Sequence, residues 1–372
     1  MGLKAEQRPL IDGAVASTRH ALFWMMMANA VGIWLALLLL VPKAGAWLGE
    51  LTYGRWVPVH LNLHLYGWTS LPLVAWLLSV YGAGHHSRTA VWAWSMALVV
   101  GVVTWLGGHT SGKIFLDWTS LSRVLFPLVL TFLWGVLAVG FWRNRQDRHR
   151  VVIAKAAGLF VLAAVPPLLY WASGRGVYPA VNPESGGPTG VDLLGSTLSI
   201  VFLLLVLPIV QGRPSCRDRR LVPALCWSVF VGQILLVAII GMEHASHRDW
   251  RQWLSLGSLT SWIVLMPLYY RGFTWPAASS RWIRATLVWF GVLTATGWVS
   301  FLPTILDHLK FTDGLVAHSH LAMAGFVTSF NFLVISLLVH SSLADLFNRP
   351  LAFWAWNGAT GAYVIVMWVA GA

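Results

Sequence analysis

Apolar runs of about twenty residues recur along almost the whole chain, each closed by a short polar or basic stretch. A run of that length crosses the hydrocarbon core of a bilayer as one helix, because only a helix satisfies its own backbone hydrogen bonds there. The pattern predicts eleven spans, near 21–42, 57–80, 89–108, 121–142, 151–171, 191–211, 220–241, 252–270, 282–304, 314–341 and 351–371. The expected fold is all-α, a polytopic membrane bundle of about eleven transmembrane helices. Residues 1–372 are read as a single integral membrane domain, with 1–20 a short cytoplasmic N-terminal segment. The first run is longer than the apolar core of a secretory signal, so it is read as an uncleaved span despite Ala44, Gly45 and Ala46 after it.

Composition agrees: 57% of residues are hydrophobic and only 10% charged. A formal charge of +12 would suit a nucleic-acid binder, but its distribution excludes that class. Arg143, Arg145, Arg148 and Arg150 form one cluster, and Arg213, Arg217, Arg219 and Arg220 another. With the N-terminus inside, both fall in inner loops, which is the positive-inside bias of a bacterial cytoplasmic (inner) membrane protein. Their partners are then the anionic headgroups of the lipid bilayer. Many of the 24 tryptophans sit near span ends, as interfacial anchors do. The two cysteines, Cys216 and Cys226, form no CxxCH pattern, so neither a disulfide nor covalent heme attachment is indicated.

Histidine supplies the candidate chemistry. His318 and His320 start the 314–341 run, while His60 and His64 start the 57–80 run one turn apart on one face. An ionisable ring at membrane depth is costly and is normally kept for function. Positions i and i+2 of a helix lie about 200° apart, so His318 and His320 leave opposite sides and can serve two separate cofactors. With His109, His244 and His247 these rings fall toward the outer ends of their spans in the expected topology. Two readings stand for each: a snorkelling interfacial residue, or a ligand. Paired imidazoles on facing helices point to noncovalent bis-histidine heme. The small residues Gly67, Ala322, Ala324 and Gly325 would admit a flat macrocycle or serve plain helix packing.

From about Arg55 to Asn331 the chain resembles subunit I of the heme-copper oxidase superfamily, nearest its C-type (cbb) branch and more distantly nitric oxide reductase. VHLNLHLYGW, with His60, resembles the family's span-2 low-spin heme motif. GHTSGKIFLDW, residues 108–118, resembles a C-type segment between spans 3 and 4, and AHSHLAMAGF resembles the span-10 His-x-His. The resemblance implies heme b held low-spin by His60 and His320, with His64 the competing ligand. It also implies a second, high-spin heme on His318, the catalytic position.

Three positions depart from the family. Gly187 in SGGPTGVDLLGSTL stands near the span-6 copper-binding histidine, Glu243 in GMEHASHRDW stands for the first span-7 histidine, and Val237 falls near the family's span-7 tyrosine. Copper at one per chain is therefore not expected. Glu243, His244 and His247 make a mixed carboxylate and imidazole set that suits non-heme iron or zinc, or else a solvated outer loop. The acids expected at membrane depth are Asp192 and Glu243, and no lysine is expected inside a span.

Two functions follow from the resemblance. One is a respiratory-chain oxidoreductase subunit that reduces a small molecule, dioxygen or nitric oxide. The other is a non-catalytic diheme electron carrier between quinol and a periplasmic partner, its copper site lost. Either implies a c-type cytochrome or other electron-donor subunit as partner. A transporter on an unrelated bundle fits the hydropathy but not the histidine motifs, and no inverted repeat is apparent.

Overall fold

Apolar side chains drive nearly all of the described backbone into helix, since lipid offers its amides no other partner. The computed structural model describes residues 8–144, 149–177, 193–215, 221–240, 249–339 and 342–371. Its main helices are α1 (Arg8–Leu40), α2 (Tyr53–Val80), α3 (Ser87–Leu106), α4 (Ser120–Arg143), α5 (Val151–Ala172), α6 (Leu193–Gln211) and α7 (Leu221–Ile240). They continue as α8 (Trp250–Ser258), α9 (Ser261–Arg271), α10 (Ser280–Ser300), α11 (Pro303–Leu309), α12 (Asp313–Leu338), α13 (Ser342–Asn348) and α14 (Pro350–Gly371). The protein is an all-α polytopic membrane bundle.

Within the described residues each expected span falls on helix, 252–270 on two separate ones, but the number of helices that qualify by length and apolarity differs from eleven. Among the described residues eight helices are long and apolar enough to cross a membrane, or nine if the bent pair Ala277–Ser300 and Pro303–Leu309 is one span. That pair turns by 99° where Pro303 cannot continue the helix. The run expected at 252–270 is broken between Ser258 and Ser261, leaving α8 and α9 too short to count separately. A two-residue antiparallel ladder, Arg213–Pro214 with Phe273–Thr274, ties the ends of α6 and α9 together.

The chain divides into two units, Met1–Val181 and Asn182–Ala372. Each is built round one helix that carries a histidine motif. In the first, α2 packs against α1 and α3, and 56% of its apolar window is buried, the largest share in that unit. In the second, α12 packs against α10 and α14 with 72% buried. Both helices contain a π-helical segment, Leu63–Thr69 in α2 and Leu321–Val327 in α12. Such wide turns are rare and concentrate at functional sites.

Candidate functional site

His60 lies seven residues after Tyr53, which puts it about 10 Å along α2 instead of at its mouth. Its Nδ1–H donates to the Ala28 carbonyl of α1 at 2.8 Å. A carbonyl can only accept, so Nδ1 carries the proton and Nε2 keeps its lone pair, as a metal ligand requires. Gly32, one turn further along α1, lies against the ring, and a Cβ there would stand 2.7 Å from His60 Cε1. His64, inside the π segment, meets His60 edge-on with ring centroids 4.7 Å apart. Asn62 between them is fully buried, yet among the described residues neither its Oδ1 nor its Nδ2 finds a hydrogen-bond partner.

In the second unit, the Thr312 hydroxyl accepts from the Gly314 amide at 3.2 Å and so caps the start of α12. His320 again lies seven residues inside its helix, after Asp313. Its Nδ1–H donates to the Val316 carbonyl of the same helix at 2.9 Å, leaving the Nε2 lone pair available. Its ring lies 4.8 Å from that of Tyr363 on α14. His318 looks the other way, toward Gly297 of α10, where a Cβ would stand 3.3 Å from His318 Cε1. The i and i+2 rings thus face different helices, as their angular spacing requires. Among the described residues His318 Nδ1 is buried without a hydrogen-bond partner, unlike the Nδ1 of His60 and His320.

Two of the small residues after the motifs, Gly67 and Gly325, pack against indoles. A Cβ on Gly67 would meet the Trp24 side chain at 2.5 Å, and one on Gly325 the Trp289 indole at 2.8 Å. His109 sits in an exposed loop beyond Leu106 and does not end α3. Glu243, His244, His247 and Gly187 lie outside the described residues. Among the described residues no group of three or more His, Cys, Asp and Glu side chains could hold a metal ion.

The loop between α3 and α4 holds buried charges that hydropathy could not reveal. Lys113 is 4% exposed and Asp117 3%. Lys113 Nζ donates to the Ala172 carbonyl at 2.9 Å and to that of Gly174 at 2.5 Å, closing the loop onto the end of α5. Asp117 accepts from the amide and the hydroxyl of Ser111, and its own carbonyl accepts from Trp105 Nε1. Burial pushes the Asp117 carboxyl above its ordinary range, against the pull of the Ser111 and Gly112 amides, the Ser111 hydroxyl and Arg175. Burial, with Arg123 second, pushes Lys113 down. The Tyr66 hydroxyl of α2 donates to the Phe115 carbonyl at 2.6 Å, so this loop buttresses the His60 helix. GHTSGKIFLDW, the one polar stretch that carried a family likeness, was the available signal.

No family profile matches the chain. Two curated proteins match over nearly all of it. One is the cbb3-type cytochrome c oxidase subunit CcoN1 of Stutzerimonas stutzeri, 22% identical over 94% of this chain and 80% of that protein. The other is a cytochrome c oxidase subunit 1 homolog of Azorhizobium caulinodans, 22% identical over 95% of this chain and 70% of that protein. The chain is a divergent relative of heme-copper oxidase subunit I. Its apolar helices make it an integral membrane protein in contact with the lipid bilayer. The likeness runs through both histidine helices, so the sequence motifs and the overall match name one family.

Proposed function

We propose that this subunit I relative binds heme noncovalently, with His60 and His320 the residues that would hold low-spin heme b and His318 the residue that would hold a second heme. One observation carries the reading: both rings in the matched motifs have Nδ1–H committed to a backbone carbonyl, which leaves Nε2 as the donor atom. His318 fits differently, as a ring whose buried Nδ1 has no hydrogen-bond partner among the described residues. His64 is the alternative partner on α2. Bound heme supplies one-electron chemistry and, where an axial position is open, capture of a small molecule. The residues hold and orient it: Ala28 fixes the His60 ring, Val316 fixes His320, and Gly32 and Gly297 permit close approach of neighbouring helices.

On this reading the chain is a respiratory-chain subunit that reduces dioxygen or nitric oxide at the His318 side. Electrons come from a c-type cytochrome or other donor subunit, or from quinol, since no CxxCH provides a covalent heme within it. Glu243, His244 and His247 are the candidates for a non-heme iron or zinc site. A second reading, diheme electron transfer without catalysis, is favoured by Gly187 and Val237 standing where the family's copper ligand and tyrosine would be. The N-terminus is taken as inside a bacterial inner membrane, from the arginine clusters.

Pyridine-hemochrome and metal analysis of purified protein should give noncovalent heme and no stoichiometric copper. Carbon monoxide then separates the two readings. Binding to the reduced protein, lost in His318→Ala, supports small-molecule chemistry, whereas bound heme wholly blind to it leaves electron transfer. Absence of any heme sinks both.

A further inference from the structure

A cavity of about 390 Å³ opens in the first unit, away from the histidine helices' motifs, where the start of α4 meets the end of α5. Arg123, Arg175 and His109 line it, together with Ser120, Thr119 and the buried indole of Trp118. Arg123 is oriented from behind: its Nη2 donates to the Tyr170 carbonyl at 3.0 Å and its guanidinium stacks 4.2 Å above the Tyr170 ring. Arg175 is exposed and, among the described residues, has no hydrogen-bond partner. Among the described residues cations outnumber carboxylates here: Lys113 lies close enough to feel Arg123, and Asp117 close enough to feel Arg175.

The backbone adds to the same polarity. No side chain caps α4, a helix of 24 residues, because the Thr119 hydroxyl donates instead to the His109 carbonyl. Among the described residues the first-turn amides are thus left uncapped by any side chain, and their partial positive charge lies at the cavity end of the helix. No acidic residue occupies that turn to answer it. Arginine forks and a helix start are the two commonest devices for holding oxyanions.

We propose that this cavity binds a phosphate-class oxyanion through Arg123, Arg175 and the first turn of α4. Its volume exceeds what a bare ion fills and suits a phosphate that carries a substituent. The exposed aromatic residues Tyr170 and Trp171 at the end of α5 are of the kind that sit at headgroup level. The source is either a phospholipid headgroup or a soluble phosphate, and the two are told apart by probe.

Full-length protein, stripped of lipid in a neutral detergent, is titrated with dihexanoyl phosphatidylglycerol or with inorganic phosphate while its apparent Tm is followed at constant ionic strength. The expected result is a saturable rise whose midpoint is at least threefold weaker in Arg175→Gln and is largely restored in Arg175→Lys. A response to the lipid alone assigns the site to headgroups, and a response to both probes shows that the phosphate itself suffices. Arg175 is solvent-exposed, so its variants should fold. Arg123→Lys, which keeps the charge but loses the fork, should weaken the midpoint as well. No saturable response in the wild type, or equal midpoints in wild type and Arg175→Gln, overturns the proposal.

Discussion

The two histidine helices, α2 and α12, are alike in plan and unlike in how they hold their rings. Each is the most buried span of its unit, each carries a histidine seven residues from its start, and each widens into a π segment just beyond it. His60, however, donates to a carbonyl 32 residues away on α1, whereas His320 donates to its own helix one turn back. The orientation of His60 is thus a property of α1–α2 packing, and that of His320 is local. One ring should respond to remote substitutions, and the other should ignore them.

The largest effect expected is loss of the low-spin signal itself. His60→Ala and His320→Ala should each abolish the six-coordinate reduced α-band in purified protein, because a bis-imidazole iron needs both rings. His64→Ala should leave it in place. If His64→Ala removes the band and His60→Ala does not, the ligand on α2 has been misassigned, and the symmetry of plan between the two helices goes with it.

Much of this arrangement was legible in the chain and some was not. The spans were legible because lipid imposes a length and a polarity on every crossing segment. The opposed directions of His318 and His320 followed from helical geometry alone, and Gly297 and Tyr363 occupy the two sides in the fold. Gly67 and Gly325 were ambiguous, since a small residue admits any flat neighbour, and each turned out to seat an indole. Lys113 and Asp117 were missed for a different reason. Hydropathy treats a loop's charges as solvated, and only tertiary structure brings the Ala172 and Gly174 carbonyls to Lys113.

A smaller effect sharpens the contrast in anchoring. Gly32→Ala would put a methyl 2.7 Å from His60 Cε1, closer than any real contact, so the ring or α1 must shift. Overpacking of that kind costs about 1–3 kcal/mol, and it should lower apparent Tm and broaden or move the low-spin band. Gly297→Ala meets His318 at 3.3 Å, where a small adjustment suffices, and should change the carbon monoxide spectrum of the reduced protein less. On α14, Tyr363→Leu removes the ring beside His320 but not its bond to Val316, so the low-spin band should stay within a few nanometres, an order-of-magnitude allowance for a retained ligand pair. A larger change from Tyr363→Leu than from Gly32→Ala would reverse the comparison.

The smallest effect tests whether the anchoring of α2 extends into the buttressing loop, and pH is the means of reading it. Burial raises the Asp117 carboxyl above its unfolded value, so the native state holds that proton more tightly than the unfolded chain does. Its contribution is therefore full below the ordinary carboxylate pKa and is lost as pH rises through the raised native value. Asp117→Asn keeps an oxygen to accept from Ser111 but has no such titration. The difference in apparent Tm, variant minus wild type, should thus grow more positive as pH rises above the ordinary carboxylate range. Because Phe115 of this loop accepts from Tyr66 on α2, the same titration should move the low-spin band slightly in the wild type and not in the variant. A Tm difference that is flat or falls with pH would show that the Asp117 carboxylate is stabilised in place by Ser111, Gly112 and Arg175, and that the loop holds α2 without any charge penalty.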